Sequence, residues 1–374
     1  MVLIIRLNRI AACLALVLLL QPVCAAEAAD TPSVRASCAL VMAEDGQRLY
    51  EKDADRRVLI ASTTKLMTAL VCLEHTAPEQ LVTIKPSHCA VEGSSMYLRA
   101  GERYTVRELL TGLLLASGND AALALAETAG GSERGFVRLM NQKAQALGLE
   151  NTHFQNPHGL DAEQHYSTAA DLARLMFACM ENETFRQLNA LRSAEVKGVQ
   201  YLNHNRLLST CPGCDGGKTG YTRAAGRCLV SCCERDGLRL VCVTLSDPDD
   251  WHDHKSLYDW TYARFRLLNL SELCRYELPV IAGSRSVVCA APEKTARLIL
   301  PREETVTLSA ELPRFVFAPV KGGETAGSVS VIVREKRIAE FPLLFTASAA
   351  AAYPVAGQLP SEEMRLCVRE SKSL

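Results

Sequence analysis

The sequence has no excess of either charge: 41 Lys and Arg stand against 42 Asp and Glu, for a formal charge of −1. That balance supplies no global field for nucleic acid, so a nucleic-acid partner is not expected. No internal repeat is present, and low complexity is confined to the alanines of residues 347–352. The eight histidines show no His-Glu-x-x-His or comparable ligand spacing, which argues against a metallopeptidase. Only one stretch is apolar enough to concern a membrane, and it lies at the start. Apolar side chains are not scarce: 48% hydrophobic with 22% charged is a globular composition, and 374 residues suggest two domains.

The opening stretch carries Arg6 and Arg9, an apolar run from Ile10 to Leu20, and small residues after Pro22. Residues 1–25 therefore read as a signal peptide cleaved after Ala25, with an uncleaved anchor as the alternative. The remaining chain then works outside the cytoplasmic membrane. The cysteines left after cleavage are odd in number, so they cannot all pair within the chain. Cys72 and Cys242 sit in apolar patterns where a thiol behaves as a small hydrophobe. Cys211, Cys214, Cys232 and Cys233 could be drawn as a zinc site, but adjacent residues on a strand face opposite sides. A local Cys211–Cys214 disulfide or plain thiols is the preferred reading.

The pattern along the chain predicts a hairpin around Glu44-Asp45-Gly46, then a helix opened by Ala61-Ser-Thr-Thr-Lys65 with Leu66, Leu70 and Leu73 on one face. A capping box, Thr105-Val-Arg-Glu108, announces a second helix that breaks at Ser117-Gly118-Asn119. Further helices run from Asp120 to Gly130, from Ser132 to Gly148 and over Asp171–Met180. A second hairpin spans Cys228 to Leu245, and Trp251–Leu268 reads as a closing helix. Strands flanking a helical insert predict an α+β domain built on one antiparallel sheet. Short strands with turn signals follow at 297–300, 306–310, 315–318, 327–333 and 338–343, the texture of a small all-β domain.

The chemistry begins at Ser62 and Lys65. Three residues apart on a helix, hydroxyl and amine share a face, and the helix start favours an alkoxide and a neutral lysine. An N-cap serine ahead of a surface lysine has the same spelling. Ser117-Gly118-Asn119 falls between two helices, where a hydroxyl and an amide can be aimed into a cleft, although it is also an ordinary turn. Lys218-Thr219-Gly220 follows Asp215-Gly-Gly217 and leads to the second hairpin, where an edge strand can offer backbone groups to an extended peptide.

Together, Ser-x-x-Lys, Ser-x-Asn and Lys-Thr-Gly in this order, 55 and 101 residues apart, resemble the serine penicillin-recognising enzymes. Within them the sequence is most similar to the low-molecular-mass D-alanyl-D-alanine carboxypeptidases of peptidase family S11. The stretches Ala61–Thr68, Leu115–Ala122, Asn151–Leu160, His165–Ala169 and Asp215–Thr222 carry the resemblance. It implies a β-lactamase/transpeptidase-like catalytic domain over 35–270, an all-β C-terminal domain over 275–346, and a tail over 347–374. The family commonly ends in an amphipathic helix on the membrane. This tail, a candidate membrane-contact segment, has only a short apolar face of mixed charge.

By the same resemblance Ser62 is the nucleophile towards the penultimate D-alanine of a peptidoglycan stem peptide, Lys65 the general base, and Ser117 a proton relay to the leaving amine. Asn119 holds Lys65 and the substrate amide, Lys218 positions the hydroxyls, and Thr219 meets the terminal carboxylate. Gly220 belongs to the substrate-binding strand, and the Ser62 and Tyr221 amides form an oxyanion hole. No metal or organic cofactor is implied, and β-lactam antibiotics are expected as covalent inhibitors. His153 and His158 invite a Ser-His reading, but their stretch resembles a structural loop beside the cleft. A β-lactamase-like hydrolase is disfavoured because no glutamate between Ser117 and Lys218 has an asparagine four residues on. A catalytically inactive wall-binding or sporulation-linked homologue is disfavoured because every matching catalytic side chain is present.

Overall fold

A computed structural model describes residues 31–352 and 367–373. The signal-like residues 1–25 lie outside the described residues, as does the tail between 353 and 366. Cys38–Ala43 (β1) and Arg48–Lys52 (β2) form the expected hairpin, with Gly46 taking the left-handed turn position at φ +87°. A helical block follows: Lys65–His75 (α1), Val106–Leu115 (α2), Asn119–Gly130 (α3), Glu133–Ala146 (α4), Ala169–Glu181 (α5) and Glu183–Asn189 (α6). The chain then returns as Cys214–Thr222 (β3), Gly226–Arg235 (β4) and Leu238–Leu245 (β5). These strands make one antiparallel sheet in the order β2-β1-β5-β4-β3, which leaves β3 on an edge.

The middle stretches of the central strands are mostly apolar because both of their faces are covered. On β4, Cys228, Val230 and Cys232 point into the core under the helical block, whereas Leu229 and Cys233 point to the opposite core, which includes Leu257 and Tyr258 of Asp250–Arg264 (α7). Cys232 and Cys233 thus face opposite sides. Cys211, Cys214, Cys232 and Cys233 are free thiols. No group of three metal-ligating side chains occurs among the described residues.

Caps fix the helix starts. Thr105 Oγ1 accepts from the Glu108 amide at 3.2 Å while the Glu108 carboxylate accepts from the Thr105 amide at 2.7 Å, the reciprocal box read from the sequence. Ser132 Oγ accepts from the Gly135 amide at the start of α4, and Thr168 Oγ1 from the Asp171 amide at the start of α5.

The closing helix is shorter than the expected Trp251–Leu268. It stops at Arg264, and Phe265–Asn269 (β6) pairs antiparallel with Arg297–Pro301 (β9). Residues 265–268 bridge two cores: Phe265 and Leu267 pack on the α7 side and Leu268 enters the core of the second domain. Only an alternating strand serves both.

The second domain is a seven-stranded sheet. Its strands are Tyr276–Ile281 (β7), Val287–Ala291 (β8), Val306–Pro313 (β10), Val316–Phe317 (β11), Thr325–Val333 (β12), Lys336–Phe345 (β13) and Cys367–Ser373 (β14), in the order β11-β7-β8-β13-β12-β10-β14. Sequence patterning did not single out β7 and β8. Residues 367–373 of the tail pair with β10 as a strand. Among the described residues no helix is long and apolar enough to cross a membrane. An Arg297–Glu44 ion pair at 3.1 Å and Ile299, buried in the α7-side core, join this domain to the first.

Candidate active site

Ser62 sits in a 3-10 turn, Ala61–Thr64, stacked on the start of α1, not in the α-helix itself. The Thr63 and Thr64 hydroxyls donate back to the Ile60 and Ala61 carbonyls at 2.7 and 2.8 Å, and Ala61 is held at φ +47°. Gly159 presses on this turn: a Cβ there would stand 2.0 Å from the Ala61 carbonyl oxygen. His165 braces it from the same loop. Its Nδ1 accepts from the Gln155 amide, so Nε2 carries the proton and donates to Thr64 Oγ1 at 2.8 Å. Burial pushes the His165 imidazole down to about 4, in keeping with a neutral ring.

Lys65 is fully buried, and its Nζ meets three acceptors: Ser62 Oγ at 2.8 Å, Asn119 Oδ1 at 2.7 Å and the His158 carbonyl at 2.7 Å. Desolvation first, and then the charge of Lys218, hold the Lys65 amine well below the usual lysine range. A neutral amine keeps two N–H bonds, which Asn119 and His158 can take, and turns its lone pair to the Ser62 hydroxyl. His158 contributes only its backbone here; its imidazole, pushed down to about 3 by burial, accepts from the Leu160 amide.

The break between α2 and α3 turns Ser117 to φ +60°, a conformation costly for a residue with a Cβ. Its Oγ is buried with no hydrogen-bond partner and faces the cleft. Asp120, one residue past Asn119, accepts from the Met96 and Leu98 amides and the Ser95 hydroxyl, which ties residues 95–98 to the start of α3, next to Ser94 in the cleft lining. Sequence reading did not mark Asp120, although its place after Ser-Gly-Asn is a usable signal.

Lys218, Thr219, Gly220 and Tyr221 come from β3. Lys218 is buried, its amine pushed down to about 7 by desolvation, and its Nζ donates to the Thr219 carbonyl at 2.8 Å and not to the Ser117 hydroxyl. Gly220 lies so near the nucleophile turn that a Cβ would stand 2.9 Å from the Ser62 backbone nitrogen. Upstream, β3 carries a bulge at Asp215-Gly216. Asn189, at the end of α6, accepts from the Gly217 amide and donates to the Gly217 carbonyl, and Asn205 Nδ2 donates to the Gly216 carbonyl. Nothing in the local sequence marks either asparagine.

One cavity of about 560 Å³ is lined by Ser62, Ser117, Thr219, Gly220 and Tyr221. Asn119 and the two lysines stand behind these residues. Arg227 lines the same cavity from β4, directly across from Tyr221. It is ion-paired to Asp250 at 2.6 Å and stacked over Trp251. This Arg227–Asp250 pair at the cavity wall was also absent from the sequence reading. The arrangement supplies a serine hydroxyl against a poorly charged amine, a second hydroxyl without a partner, and an exposed strand edge for an extended peptide.

Comparison with known proteins agrees with this chemistry. Residues 25–249 match the sequence profile of peptidase family S11, D-alanyl-D-alanine carboxypeptidase. The D-alanyl-D-alanine carboxypeptidase DacC of Escherichia coli is 31% identical over 344 residues, 86% of each chain. DacF of Bacillus subtilis is 38% identical over 217 residues, 55% of this chain and 56% of that one. Among solved structures, penicillin-binding protein 5 of Haemophilus influenzae superposes with a TM-score of 0.68 at 27% identity, covering 86% of this chain and 99% of that one. With its profile match spanning more than half of its length, this chain belongs to the D-alanyl-D-alanine carboxypeptidase family, peptidase S11.

Proposed function

We propose that this protein is a serine D-alanyl-D-alanine carboxypeptidase that removes the terminal D-alanine of peptidoglycan stem pentapeptides, with Ser62 as nucleophile and Lys65 as its base. The observation that carries the assignment is the 2.8 Å bond between Lys65 Nζ and Ser62 Oγ, with the amine buried and depressed. Lys65 takes the Ser62 proton as Oγ attacks the penultimate D-alanine carbonyl. The Ser62 and Tyr221 amides receive the oxyanion. Lys65 returns the proton, by way of the Ser117 hydroxyl, to the nitrogen of the departing D-alanine. The acyl-serine is then hydrolysed by water. Asn119 holds Lys65, Lys218 polarises the hydroxyl side of the cleft, and Thr219 and Gly220 receive the terminal residue.

A penicillin carbonyl meets the same nucleophile and leaves a stable adduct on Ser62. The site of action is the cell-wall space, reached by way of residues 1–25 as an export signal, with peripheral membrane contact.

The test is D-alanine release from a stem pentapeptide by the purified protein, with Ser62→Ala and a fluorescent-penicillin gel alongside. Release and labelling that both vanish in Ser62→Ala support the assignment. Release that persists in Ser62→Ala, or the absence of both signals from the wild-type protein, overturns it.

A further inference from the structure

The turn that leads into β3 holds a pair of thiols that the peptidase chemistry does not use. Cys211-Pro212-Gly213-Cys214 closes with the Cys214 amide donating to the Cys211 carbonyl at 3.1 Å and Gly213 at φ +79°, the arrangement that a central Pro-Gly favours. This turn lies directly on the end of β4. The Glu234 amide donates to the Gly213 carbonyl at 2.9 Å, and a Cβ on Gly213 would stand 3.2 Å from Cys233 Sγ. The Cys211 and Cys233 thiols are hydrogen-bond partners, and Cys233 Sγ also lies 3.2 Å from the Pro212 carbonyl oxygen. The other two thiols nearby are turned elsewhere. Cys214 Sγ faces the Gly216 carbonyl at 3.6 Å, and Cys232 points into the core on the other side of the sheet.

Charge makes the two members of the pair unequal. Arg235 donates through Nε to the Pro212 carbonyl at 2.9 Å and through Nη2 to Cys211 Sγ at 3.4 Å, while its Nη1 meets Asp259 of α7 at 2.9 Å. The hydrogen bond from Cys233, together with the Arg235 charge and against burial, holds the Cys211 thiol down to about 7. The same contact and burial push Cys233 up, and burial pushes Cys214 up to about 12. Near neutral pH, Cys211 is therefore the thiolate of the group and Cys233 a protonated thiol beside it. Cys211 is 5% exposed beneath the exposed Pro212 and Gly213, a position that a small uncharged oxidant reaches and a bulky one does not.

We infer that Cys211 and Cys233 are a peroxide-responsive pair that closes to a disulfide between the turn before β3 and the end of β4. The Cys211 thiolate attacks one oxygen of a hydroperoxide and breaks the O–O bond; Cys211 becomes a sulfenic acid, and the second oxygen leaves as hydroxide or alkoxide. Cys233 Sγ then attacks Cys211 Sγ and displaces its hydroxyl, which departs as water with the Cys233 proton. Two thiols have lost two electrons, and the peroxide bond has gained them. The new bond staples the entry of β3, the strand that carries Lys218, Thr219 and Gly220, to its neighbour. Neither cysteine lines the cleft, so the test of the pair stands apart from the peptidase assignment.

The experiment is peptide mapping of the purified protein before and after hydrogen peroxide. Tryptic peptide 207–218 should become linked to 228–235, with fragmentation placing the bond between Cys211 and Cys233, and dithiothreitol should undo it. The melting temperature should rise on oxidation and return on reduction. Cys214→Ser should form the same bond. Cys233→Ser should stop at a sulfenic acid on Cys211, which dimedone traps. Arg235→Gln should slow oxidation of Cys211 at pH 7 about fivefold, as its thiolate fraction falls from about half to about a tenth. A wild-type Cys211 that stays a free thiol after peroxide overturns the proposal, as does a bond made through Cys214 or a Cys233→Ser protein whose Cys211 is not oxidised. An oxidised protein that melts no higher overturns the staple.

Discussion

Asn119 and Lys65 are joined by a hydrogen bond whose polarity is fixed from outside. Asn119 Nδ2 donates to the Glu92 carbonyl at 2.6 Å, which turns Oδ1 towards the Lys65 amine 2.7 Å away. The amide accepts from the amine without contributing a negative charge, so the lysine can stay neutral. Asn119→Asp would place a carboxylate there and favour the ammonium. At neutral pH, acylation by penicillin should fall by about a hundredfold or more, the usual worth of a general base. The low-pH limb of the rate profile should also move to higher pH. An unmoved limb would mean that Lys65 is not the base.

Gly220→Ala introduces a methyl 2.9 Å from the Ser62 nitrogen, against backbone and not a yielding side chain. The nucleophile turn must shift away from β3 and misalign two backbone amides. Acylation should drop by about a hundredfold, the scale of losing one oxyanion donor. Thermal stability should fall by much less, and stopped-flow labelling beside a melting curve separates the two effects.

Asn189 acts at a distance from the reacting atoms. It is fully buried and satisfies both backbone groups of Gly217. Asn189→Ala leaves a buried amide and carbonyl without partners, at a cost of about 2–3 kcal/mol. Denaturant unfolding should register the loss. Lys218, the next residue, should be misplaced as well, so penicillin labelling should slow even at temperatures where the variant is fully folded.

Acid should destabilise the protein through its buried imidazoles. Burial holds His158 and His254 down to about 3 and His165 to about 4. Above pH 6.5 neither the folded nor the unfolded chain protonates them. As pH falls from 6.5 towards 4, the unfolded chain takes up these protons and the folded chain does not, so stability is lost across that window. Each histidine contributes a slope of up to about 1.4 kcal/mol per pH unit. His254 bonds to Ser231 and Thr244 and is not among the residues that line the cleft. His254→Asn should therefore flatten the dependence of melting temperature on pH, and an unchanged slope would contradict a neutral buried ring.

The residues that meet in the cleft were legible because the chemistry restricts their types and their order along the chain. Ser62, Lys65 and Lys218 announce themselves by motif, and Thr105 and Glu108 by a local capping box. What was not legible is held by contacts between residues distant in sequence. Asn189 is 28 positions from the glycine that it satisfies, and Arg227 reaches the cavity only because β4 lies beside β3. Phe265–Leu268 was expected as helix because its apolar residues fit either period. The choice is made by two cores that exist only after folding.

The edge of β3 also acts as a ruler. In the mechanism proposed above, a stem peptide lying antiparallel to it, with its scissile carbonyl at the Tyr221 amide, would have its last residue beside Thr219. One step further, Gly217 has no backbone group to give, because Asn189 already occupies its amide and carbonyl. The Thr219 carbonyl is likewise engaged by Lys218. A chain that continued past its terminal D-alanine would meet a filled edge where it needs an open one. On the proposed function the fold would thereby measure from the carboxyl end of its substrate, with an asparagine side chain completing the strand where a longer chain would need it open.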